Sequence, residues 1–349
     1  LEEVIVTAQK REQDIGEVPL SVTAFNSKAL VNFDISDFLD ISRVSPSVSF
    51  TPQQSKMSNN PLRIRGVGAS GTNPAFEGSV GVYVDGVYRS RAGMVLATMN
   101  DIESIEILRG PQGTLFGKNT SAGALTVESF QPGLDINYGG EISVGDFDQR
   151  RLSAFASGPV SDEWSLRFSA LRDKRDGFIS SPETGINYGN IDTWSYKFQA
   201  MYEPSEVFNA RLIADYTKTD EQCCYGNTVR ITDDALDPLL YQPLANSVGF
   251  SVINPADPFA YHNTLNRNGK DIVKDKGILL DASWAFETST LRSLTSYRDW
   301  KYDQPGGDTD FGPVDLLELS ENYDIKTFSQ ELNWAGSLDD VGAAESIDF

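Results

Sequence analysis

Histidine and cysteine are almost absent from this 349-residue sequence. The single histidine, His262, excludes a histidine-rich metal site, and any Ser-His-Asp or Cys-His mechanism would have to use that one residue. The two cysteines, Cys223 and Cys224, are adjacent, so they cannot supply the CxxC spacing of redox or zinc sites. They are either two free thiols or, in an oxidising compartment, a disulfide between neighbours. Because no acidic cluster has ligand spacing either, we predict no metal site and no cofactor.

Long apolar runs and an excess of basic residues are also missing. No segment approaches the roughly 18 apolar residues of a membrane helix, but barrel strands would escape this test because only every second residue must face lipid. The formal charge is -21, from 50 acidic and 29 basic residues, which argues against a nucleic-acid partner because phosphates are bound by basic surfaces. Composition alone therefore leaves a soluble and a membrane protein open.

The sequence does contain a series of short alternating segments after residue 132. In the segment that starts at Trp164, the apolar residues Leu166, Phe168 and Ala170 alternate with polar ones, as in a strand with one apolar and one polar face. Aromatic residues near the segment ends match the interfacial girdles of a membrane barrel. About eight segments read as strands, namely residues 140–145, 152–157, 164–172, 194–202, 208–217, 277–286, 291–300 and 325–334.

The connections between these strands alternate between short and long. The tight turns are residues 161–163, 203–206 and 287–289, and the long links, rich in Gly, Asp, Asn and Pro, are residues 174–191, 220–271 and 304–322. Short turns at one end and long loops at the other are typical of an outer-membrane barrel, and a soluble β-sandwich has no reason to sort its loops in this way. The connections therefore favour the membrane barrel.

The first 132 residues need a place in such a barrel. A barrel of about eight strands is filled by its own side chains, whereas barrels of about 22 strands carry a plug and need far more chain than this. We therefore predict an α+β plug domain followed by antiparallel transmembrane β-barrel strands, about 8 of about 22. We expect the barrel to be incomplete in this chain, since residues 342–349 lack the alternation of a closing strand.

Three segments of the N-terminal part carry further patterns. Residues 102–127, IESIEILRGPQGTLFGKNTSAGALTV, predict a strand that stops at Arg109, a glycine-rich turn and a second strand. The G-x-G-x-x-G of residues 66–71 lacks the following helix of a dinucleotide site, and Asp85-Gly86 predicts a hairpin turn instead. The β-branched leader LEEVIVTAQKR predicts a short strand, which is either the first strand of the domain or an edge for another chain.

These segments together resemble the TonB-dependent outer-membrane receptors, the plugged active transporters of Gram-negative bacteria. The leader LEEVIVTAQKR resembles the TonB box, and VPLSVTAF, LRIRG, VGVYVDGVY and the stretch 102–127 resemble successive plug segments. FSQELNW resembles an early barrel strand. The resemblance implies a TonB box and flexible leader at 1–12, a plug domain at 13–132 and the N-terminal, truncated part of a transmembrane barrel at 133–349. It also implies the cell outer membrane as location, TonB and outer-membrane lipid as partners, and no enzymatic activity.

The resemblance assigns roles to two groups of residues. The TonB box, which would leave the plug and add as a strand to TonB in the periplasm, is Glu3, Val4, Ile5, Val6, Thr7 and Ala8. Arg65 and Arg109 stand at the positions of two plug arginines that pair with barrel glutamates in this family. Alternation places Glu331 on the lumen side of its strand, so we expect Glu331 to meet one of these arginines. The alternative is that Glu331 only lines a wet lumen.

The expected cargo is a scarce nutrient too large for porins, most commonly a ferric siderophore, imported by energy-coupled displacement of the plug. An oligosaccharide, cobalamin or another organic nutrient is the alternative within the family. The candidate substrate contacts are Gln53, Gln54, Asn73 and Phe76 at the plug apices and Tyr225 and Tyr261 in the long loop, where packing within the loop is the alternative. Outside the family, a β-rich hydrolase and a binding-only or non-functional fragment remain, but no acid pair lies in an apolar context suited to hydrolysis.

Overall fold

The computed structural model contains a small α+β domain, as predicted, followed by a curved antiparallel sheet, which we call the wall. The structure describes residues 5–6, 10, 13–50, 62–68, 77–91, 93–96, 99–181, 184–226, 242–247, 261–263, 265–308, 312, 315, 317–341 and 344–348. No helix among these residues is long and apolar enough to cross a membrane.

The N-terminal domain combines short strands with short helices. Its elements in chain order are β1 (Ile5–Val6), β2 (Gln13–Asp14), β3 (Ser21–Asn26), α1 (Ser27–Asn32), α2 (Phe38–Val44), β4 (Val48–Phe50), β5 (Leu62–Ile64), β6 (Val67–Gly68), β7 (Val80–Val84), β8 (Val87–Arg89), α3 (Gly93–Leu96), β9 (Ile102–Arg109), α4 (Gly113–Phe116) and β10 (Gly123–Ser129). Five of the strands form one mixed sheet in the order β3-β9-β10-β7-β8.

β9 is the central element of this domain. It pairs antiparallel with β3 on one side and with β10 on the other, while β7 adds parallel to β10. Ile105 and Ile107 point to a core that includes α2, and Leu108 points to a second core on the opposite face, so all three are fully buried. Burial of each side chain contributes roughly 1.5–3 kcal/mol. The strand, turn and strand predicted for residues 102–127 are confirmed, with α4 inside the turn.

The wall is a sheet of nine strands in which every neighbouring pair is antiparallel. Its strands are β11 (Asn137–Gly145), β12 (Gln149–Pro159), β13 (Trp164–Arg175), β16 (Ile191–Ser205), β17 (Phe208–Gln222), β18 (Lys270–Ala285), β19 (Ser289–Asp308), β20 (Glu318–Val341) and β21 (Ala344–Asp348). The small strands β14 (Ile179–Ser181) and β15 (Ile186–Tyr188) and the helix α5 (Gln242–Ser247) lie in its connections. All eight predicted segments are strands, but the prediction missed β21. This short strand has no alternation in its sequence and is defined only by its pairing with β20.

The two faces of the wall are the reverse of those of a soluble protein. On β13, Trp164 and Phe168 are exposed on the outer face, whereas Ser165, Arg167 and Ser169 are buried on the inner face. β20 repeats this pattern with Phe328, Leu332 and Trp334 exposed. Apolar residues outside and polar residues inside are the arrangement of a transmembrane barrel, whose outer face contacts lipid. The predicted alternation is therefore confirmed.

The lengths of the connections sort as predicted, with one exception. At one end of the wall, residues 160–163, 206–207 and 286–288 join neighbouring strands, and at the other end the strands are separated by the longer intervals 176–190, 223–269 and 309–317. The exception is the tight turn 146–148, which lies on the long-loop side. β11 and β21 are the two edges of the sheet and do not pair with each other, so the described strands form part of a barrel and not a closed one.

The predicted hairpin turn at Asp85-Gly86 joins β7 to β8. Both residues have left-handed backbone angles, with φ of 50° and 77°, as a two-residue hairpin turn requires. A Cβ atom on Gly86 would lie 2.8 Å from the Leu294 side chain of β19. The turn therefore reaches the wall, and glycine allows the backbone to approach it closely.

Candidate functional site

The interface between the N-terminal domain and the wall is where the charged residues of the two parts meet. Asp101 of the domain forms a buried, bidentate ion pair with Arg167 of β13. Nε of the guanidinium donates to Oδ2 of Asp101 at 2.8 Å, and Nη2 donates to Oδ1. Only about 5% of either side chain is exposed. The guanidinium also lies over the rings of Phe155 and Phe130, 4.3 Å and 5.0 Å from their centroids. The charge of Arg167 is therefore buried, but the Asp101 carboxylate and the two aromatic rings compensate for the lost water.

A second contact is centred on Asp85 in the β7–β8 turn. Its carboxylate accepts hydrogen bonds from the backbone N–H and the hydroxyl of Ser129, both at 3.0 Å, and lies 3.4 Å from the Arg211 guanidinium of β17. Lys197 of β16 donates to Ser129 and to the carbonyl oxygen of Asn100. Burial alone would raise the pKa of Asp85, but the charges of Arg211 and Lys197 outweigh burial and hold it below its usual value. Asp85 is therefore an anion held between two cations of the wall.

A third cluster lies beside a small cavity between domain and wall. Arg298 of β19 pairs with Asp215 of β17 and Asp275 of β18, at 2.7 Å and 2.6 Å, and Arg89 of the domain lies alongside. These four side chains and Lys197 help to line a cavity of about 70 Å³. A polar cavity of this size is large enough for water. The interface therefore combines internally paired charges with two small apolar clusters, in which Met94 packs against Trp300 and Val87 against Leu294.

Comparison with known proteins agrees with this architecture. Residues 14–124 match the family model described as the TonB-dependent receptor plug domain. The pesticin receptor of Yersinia pestis is 29% identical over 186 residues, which cover 52% of this chain and 27% of that protein. The vitamin B12 transporter BtuB of Vibrio vulnificus is 23% identical over 219 residues, covering 58% of this chain and 35% of that protein. The plug domain therefore belongs to the family of TonB-dependent receptor plug domains, and the chain as a whole is similar to TonB-dependent outer-membrane receptors.

Solved receptor structures share the whole arrangement of plug and wall. The ferric yersiniabactin uptake receptor of Yersinia pestis has a TM-score of 0.73 at 20% identity and covers 92% of this chain. The ferripyoverdine receptor of Pseudomonas aeruginosa, bound to ferripyoverdine, has a TM-score of 0.75 at 15% identity. At these identities the likeness shows the fold alone. The chain spans 46% and 43% of the lengths of these two proteins, in keeping with a wall that stays open in the described strands.

The pairing predicted for Glu331 is wrong. Glu331 does face the lumen side of β20, as predicted, but its carboxylate forms an ion pair with Lys10 of the leader. It also lies near Tyr83, whose pKa is raised mainly by burial, with smaller contributions from Tyr88 and Glu331. Tyr83 is on β7, which lies two strands, or roughly 10 Å, away from β9 in the plug sheet. Because Arg109 ends β9, Glu331 lies beside a different part of the plug.

The two plug arginines bind hydroxyl groups of the plug instead. Arg109 donates to Ser47 at 2.8 Å and to Thr23 at 2.5 Å, and Arg65 donates to Ser21 at 3.3 Å. In the part of the chain that the structure describes, neither guanidinium forms an ion pair with a carboxylate. Burial lowers the pKa of Arg109, and the nearby charge of Arg65 lowers it further. Pairing of Arg65 and Arg109 with barrel glutamates other than Glu331 stays a prediction.

The leader forms a strand, as predicted, but that strand pairs within its own chain. Ile5 lies opposite Asp14 and Val6 opposite Gln13, so β1 and β2 form a separate two-stranded sheet. Val6 is buried in the plug core that contains Leu108. The other residues of the predicted TonB box, Glu3, Val4, Thr7 and Ala8, lie outside the described residues. The role of the box in binding TonB stays a prediction.

Of the six candidate substrate residues, the structure describes two. Gln53, Gln54, Asn73 and Phe76 lie outside the described residues. Tyr225 and Tyr261 both pack against Phe178 at the base of the long loop, with ring centroids 6.4 Å and 5.9 Å apart. Both rings therefore pack within the loop, which was the alternative to a role in substrate contact, although Tyr261 keeps 56% of its surface exposed.

Cys223 and Cys224 form a disulfide between adjacent residues at the base of the same loop, where both are buried. The amide of Gln304 on β19 donates to Cys224. Of the two alternatives left open by the sequence, the structure contains the disulfide. Among the described residues, no group of three or more His, Cys, Asp or Glu side chains could hold a metal ion.

Sequence reasoning missed the residues that join plug and wall, namely Asp85, Asp101, Arg167, Lys197, Arg211 and Arg298. A signal for two of the six was present, because alternation places Arg167 and Arg211 on the lumen face of strands whose other face is apolar. A charged residue on an inward face needs a partner from the plug. Which plug residue provides it depends on tertiary structure.

Proposed function

We propose that this receptor imports a scarce nutrient across the outer membrane by TonB-driven displacement of the plug. The observation that supports it is the combination of a lipid-facing wall and a plug held to it by buried ion pairs such as Asp101–Arg167 and Asp85–Arg211. The family consists of receptors and transporters, which also argues against an enzyme.

The chemistry of the interface suits reversible displacement. The apolar contacts of Met94 and Val87 with the wall are few, and each ion pair between plug and wall can exchange its partner for water once the plug moves. Breaking a buried pair by removing one partner costs about 3–5 kcal/mol, because the other charge is left buried. Movement of the plug exposes both partners and reduces this cost. The plug is therefore held firmly at rest, and mechanical work can displace it while the wall stays folded.

TonB would supply that work through the leader. An extended segment can add as a strand to the edge of a partner sheet, with backbone hydrogen bonds providing affinity. In the structure this segment is already occupied, because β1 pairs with β2 and Val6 is buried. Recruitment of TonB therefore requires Val6 to leave the plug and β1 to separate from β2.

We propose a ferric siderophore or a related iron complex as the cargo. The support is that receptors named for ferric yersiniabactin and for ferripyoverdine share the fold over 92% and 98% of this chain. At the base of the long loop, Tyr261 keeps 56% of its surface exposed and offers a stacking surface on the outer side. Cobalamin is the second candidate, because the vitamin B12 transporter is among the relatives by sequence.

Uptake assays in a deletion strain test this proposal. The full-length receptor should restore accumulation of at least one ferric chelate from a panel under iron limitation, while accumulation of cobalamin is measured in parallel. Val6→Pro removes a backbone donor from the leader strand and should abolish uptake but leave ligand binding to whole cells intact, whereas Val6→Ile should support both. Uptake that persists in Val6→Pro, or in cells whose proton-motive force is collapsed, would contradict energy coupling through the leader.

A further inference from the structure

In the described part of the chain, two cations line the cavity between plug and wall without forming an ion pair. Arg89, at the end of β8, forms neither an ion pair nor a hydrogen bond with any described residue. Lys197 of β16 donates to the hydroxyl of Ser129 and to the carbonyl oxygen of Asn100. Because an ammonium group has three donors, one N–H of Lys197 is left for the cavity. Both cations therefore have donors to spare.

A hydroxyl group of the wall adds a third donor. Ser195 of β16 lines the same cavity and has only 4% of its surface exposed. Its oxygen accepts hydrogen bonds from the amide of Asn100 at 3.3 Å and from the hydroxyl of Thr217 at 3.0 Å. Since a hydroxyl oxygen has two lone pairs, both are used and its own hydrogen remains to be donated. Donors from plug and wall thus meet in one cavity.

The aspartates of the cavity are already engaged. Asp215 and Asp275 both pair with Arg298, at 2.7 Å and 2.6 Å. Gly277 lies between Asp215 and Arg298 in the register, and a Cβ atom there would be 2.6 Å from the guanidinium, so glycine allows Arg298 to cross β18. Burial and the charge of Arg298 lower the pKa of Arg89 to about 10, more than the aspartates raise it. Arg89 is therefore protonated at neutral pH, in surroundings that disfavour its charge.

The charges around the cavity leave an excess of one positive charge. The cluster consists of four bases and three acids, namely Arg89, Lys197, Arg211 and Arg298 against Asp85, Asp215 and Asp275. Glu128, the acid near Asp85, is mostly protonated at neutral pH because burial raises its pKa to about 8. The neighbouring pair of Asp101 and Arg167 is neutral as a whole. A buried excess charge is costly unless an opposite charge accompanies it.

We propose that this cavity binds one small monovalent anion, such as chloride, between Arg89 of the plug and Lys197 and Ser195 of the wall. A single negative charge matches the excess, whereas a dianion such as sulfate would reverse it. A cavity of about 70 Å³ has room for an ion of this size together with water.

The anion connects the two parts of the receptor. Because its ligands come from both plug and wall, it stabilises the docked plug and leaves when the plug is displaced. Its binding requires neither the cargo nor TonB, so the site stands apart from the transport proposed above.

Hydrogen exchange of the full-length receptor in neutral detergent tests this proposal. Chloride is titrated against gluconate at constant ionic strength, because gluconate is too large for the cavity. The amide of Ser129, which is buried at the contact between plug and wall, should exchange about tenfold more slowly at a chloride concentration of about ten times the dissociation constant. Exchange that is independent of chloride would show that the cavity holds water only and would overturn the proposal.

Crystals of the receptor soaked in bromide locate the anion directly. Bromide should replace chloride and give anomalous density beside Arg89. Absence of this density at saturating bromide would count equally against the site.

Variants separate the anion from a general effect of salt. Arg89→Met removes the excess positive charge and should abolish the dependence on chloride, whereas Arg89→Lys keeps the charge and should retain it. Arg150→Met is the matched control, because Arg150 is an exposed cation of the wall that pairs with Asp148, and it should respond like the wild type. Should Arg89→Met fold poorly, Ser195→Ala carries the test, since loss of a hydrogen bond to a charged group should raise the half-maximal chloride concentration about tenfold. A full response to chloride in Arg89→Met, or an unchanged one in Ser195→Ala, would overturn the assignment.

Discussion

Removal of the Asp101 carboxylate should loosen the plug from the wall. Arg167, its partner, has only 4% of its surface exposed and lies between Phe155 and Phe130. In Asp101→Ala the guanidinium would stay buried without an anion, which costs about 3–5 kcal/mol. Since every 1.4 kcal/mol is a factor of ten, the population with a displaced plug should rise by at least about 100-fold.

Hydrogen exchange of the full-length receptor in detergent measures this population. The amide of Ser129, which is buried where Lys197 and Arg211 of the wall contact the plug, should exchange at least about 100-fold faster in Asp101→Ala, because plug release exposes it to water. Glu77→Ala is the matched control, because Glu77 pairs with the exposed Lys118, and a surface pair should change exchange by less than about fivefold.

A double-mutant cycle isolates the pair itself. Arg167→Met replaces the guanidinium by an apolar side chain of similar length, and the combination with Asp101→Ala removes both charges together. The double variant should exchange more slowly than Asp101→Ala alone, because no unpaired charge remains buried. Unchanged exchange in Asp101→Ala would refute the reasoning that this ion pair holds the plug.

Three further predictions follow from other contacts. Lys10→Met removes the ion pair with Glu331 and should make the leader about fivefold more sensitive to protease in isolated outer membranes, whereas unchanged cleavage would show that this pair does not hold it. Burial, with the nearby charge of Asp85, raises the pKa of Glu128 from 4.5 to about 8, so plug stability should fall as pH rises from 4.5 to about 8, and Glu128→Gln should remove this dependence in thermal unfolding. Alkylation of the folded receptor should label neither Cys223 nor its neighbour until a reductant is added, and labelling without reductant would contradict the disulfide.

The sign of the Glu128 prediction follows from proton binding. With a folded-state pKa above its unfolded value, this carboxyl binds more protons in the folded than in the unfolded state between the two pKa values. Its stabilising contribution is therefore fully present below 4.5 and is lost as pH rises to about 8.

The local features of the fold could be predicted because neighbouring residues determine them. Alternation placed Trp164 and Phe168 on the outer face and Arg167 on the inner face, since the period of a strand is two residues. The Asp85-Gly86 turn was predictable from the pair alone, because a left-handed backbone at both positions selects such residues. β21 could not be predicted, because its pairing with β20 depends on the sheet and not on its own pattern.

The candidate site was only partly predictable for the same reason. The sequence by itself determined that Glu331 faces the lumen and that Arg109 ends a buried strand. Only the tertiary structure decided that Glu331 meets Lys10, that Asp101 meets Arg167, and that Asp85 lies between Arg211 and Lys197. Faces of a strand follow from local periodicity, whereas partners across strands and domains depend on register and docking, which many distant contacts determine together.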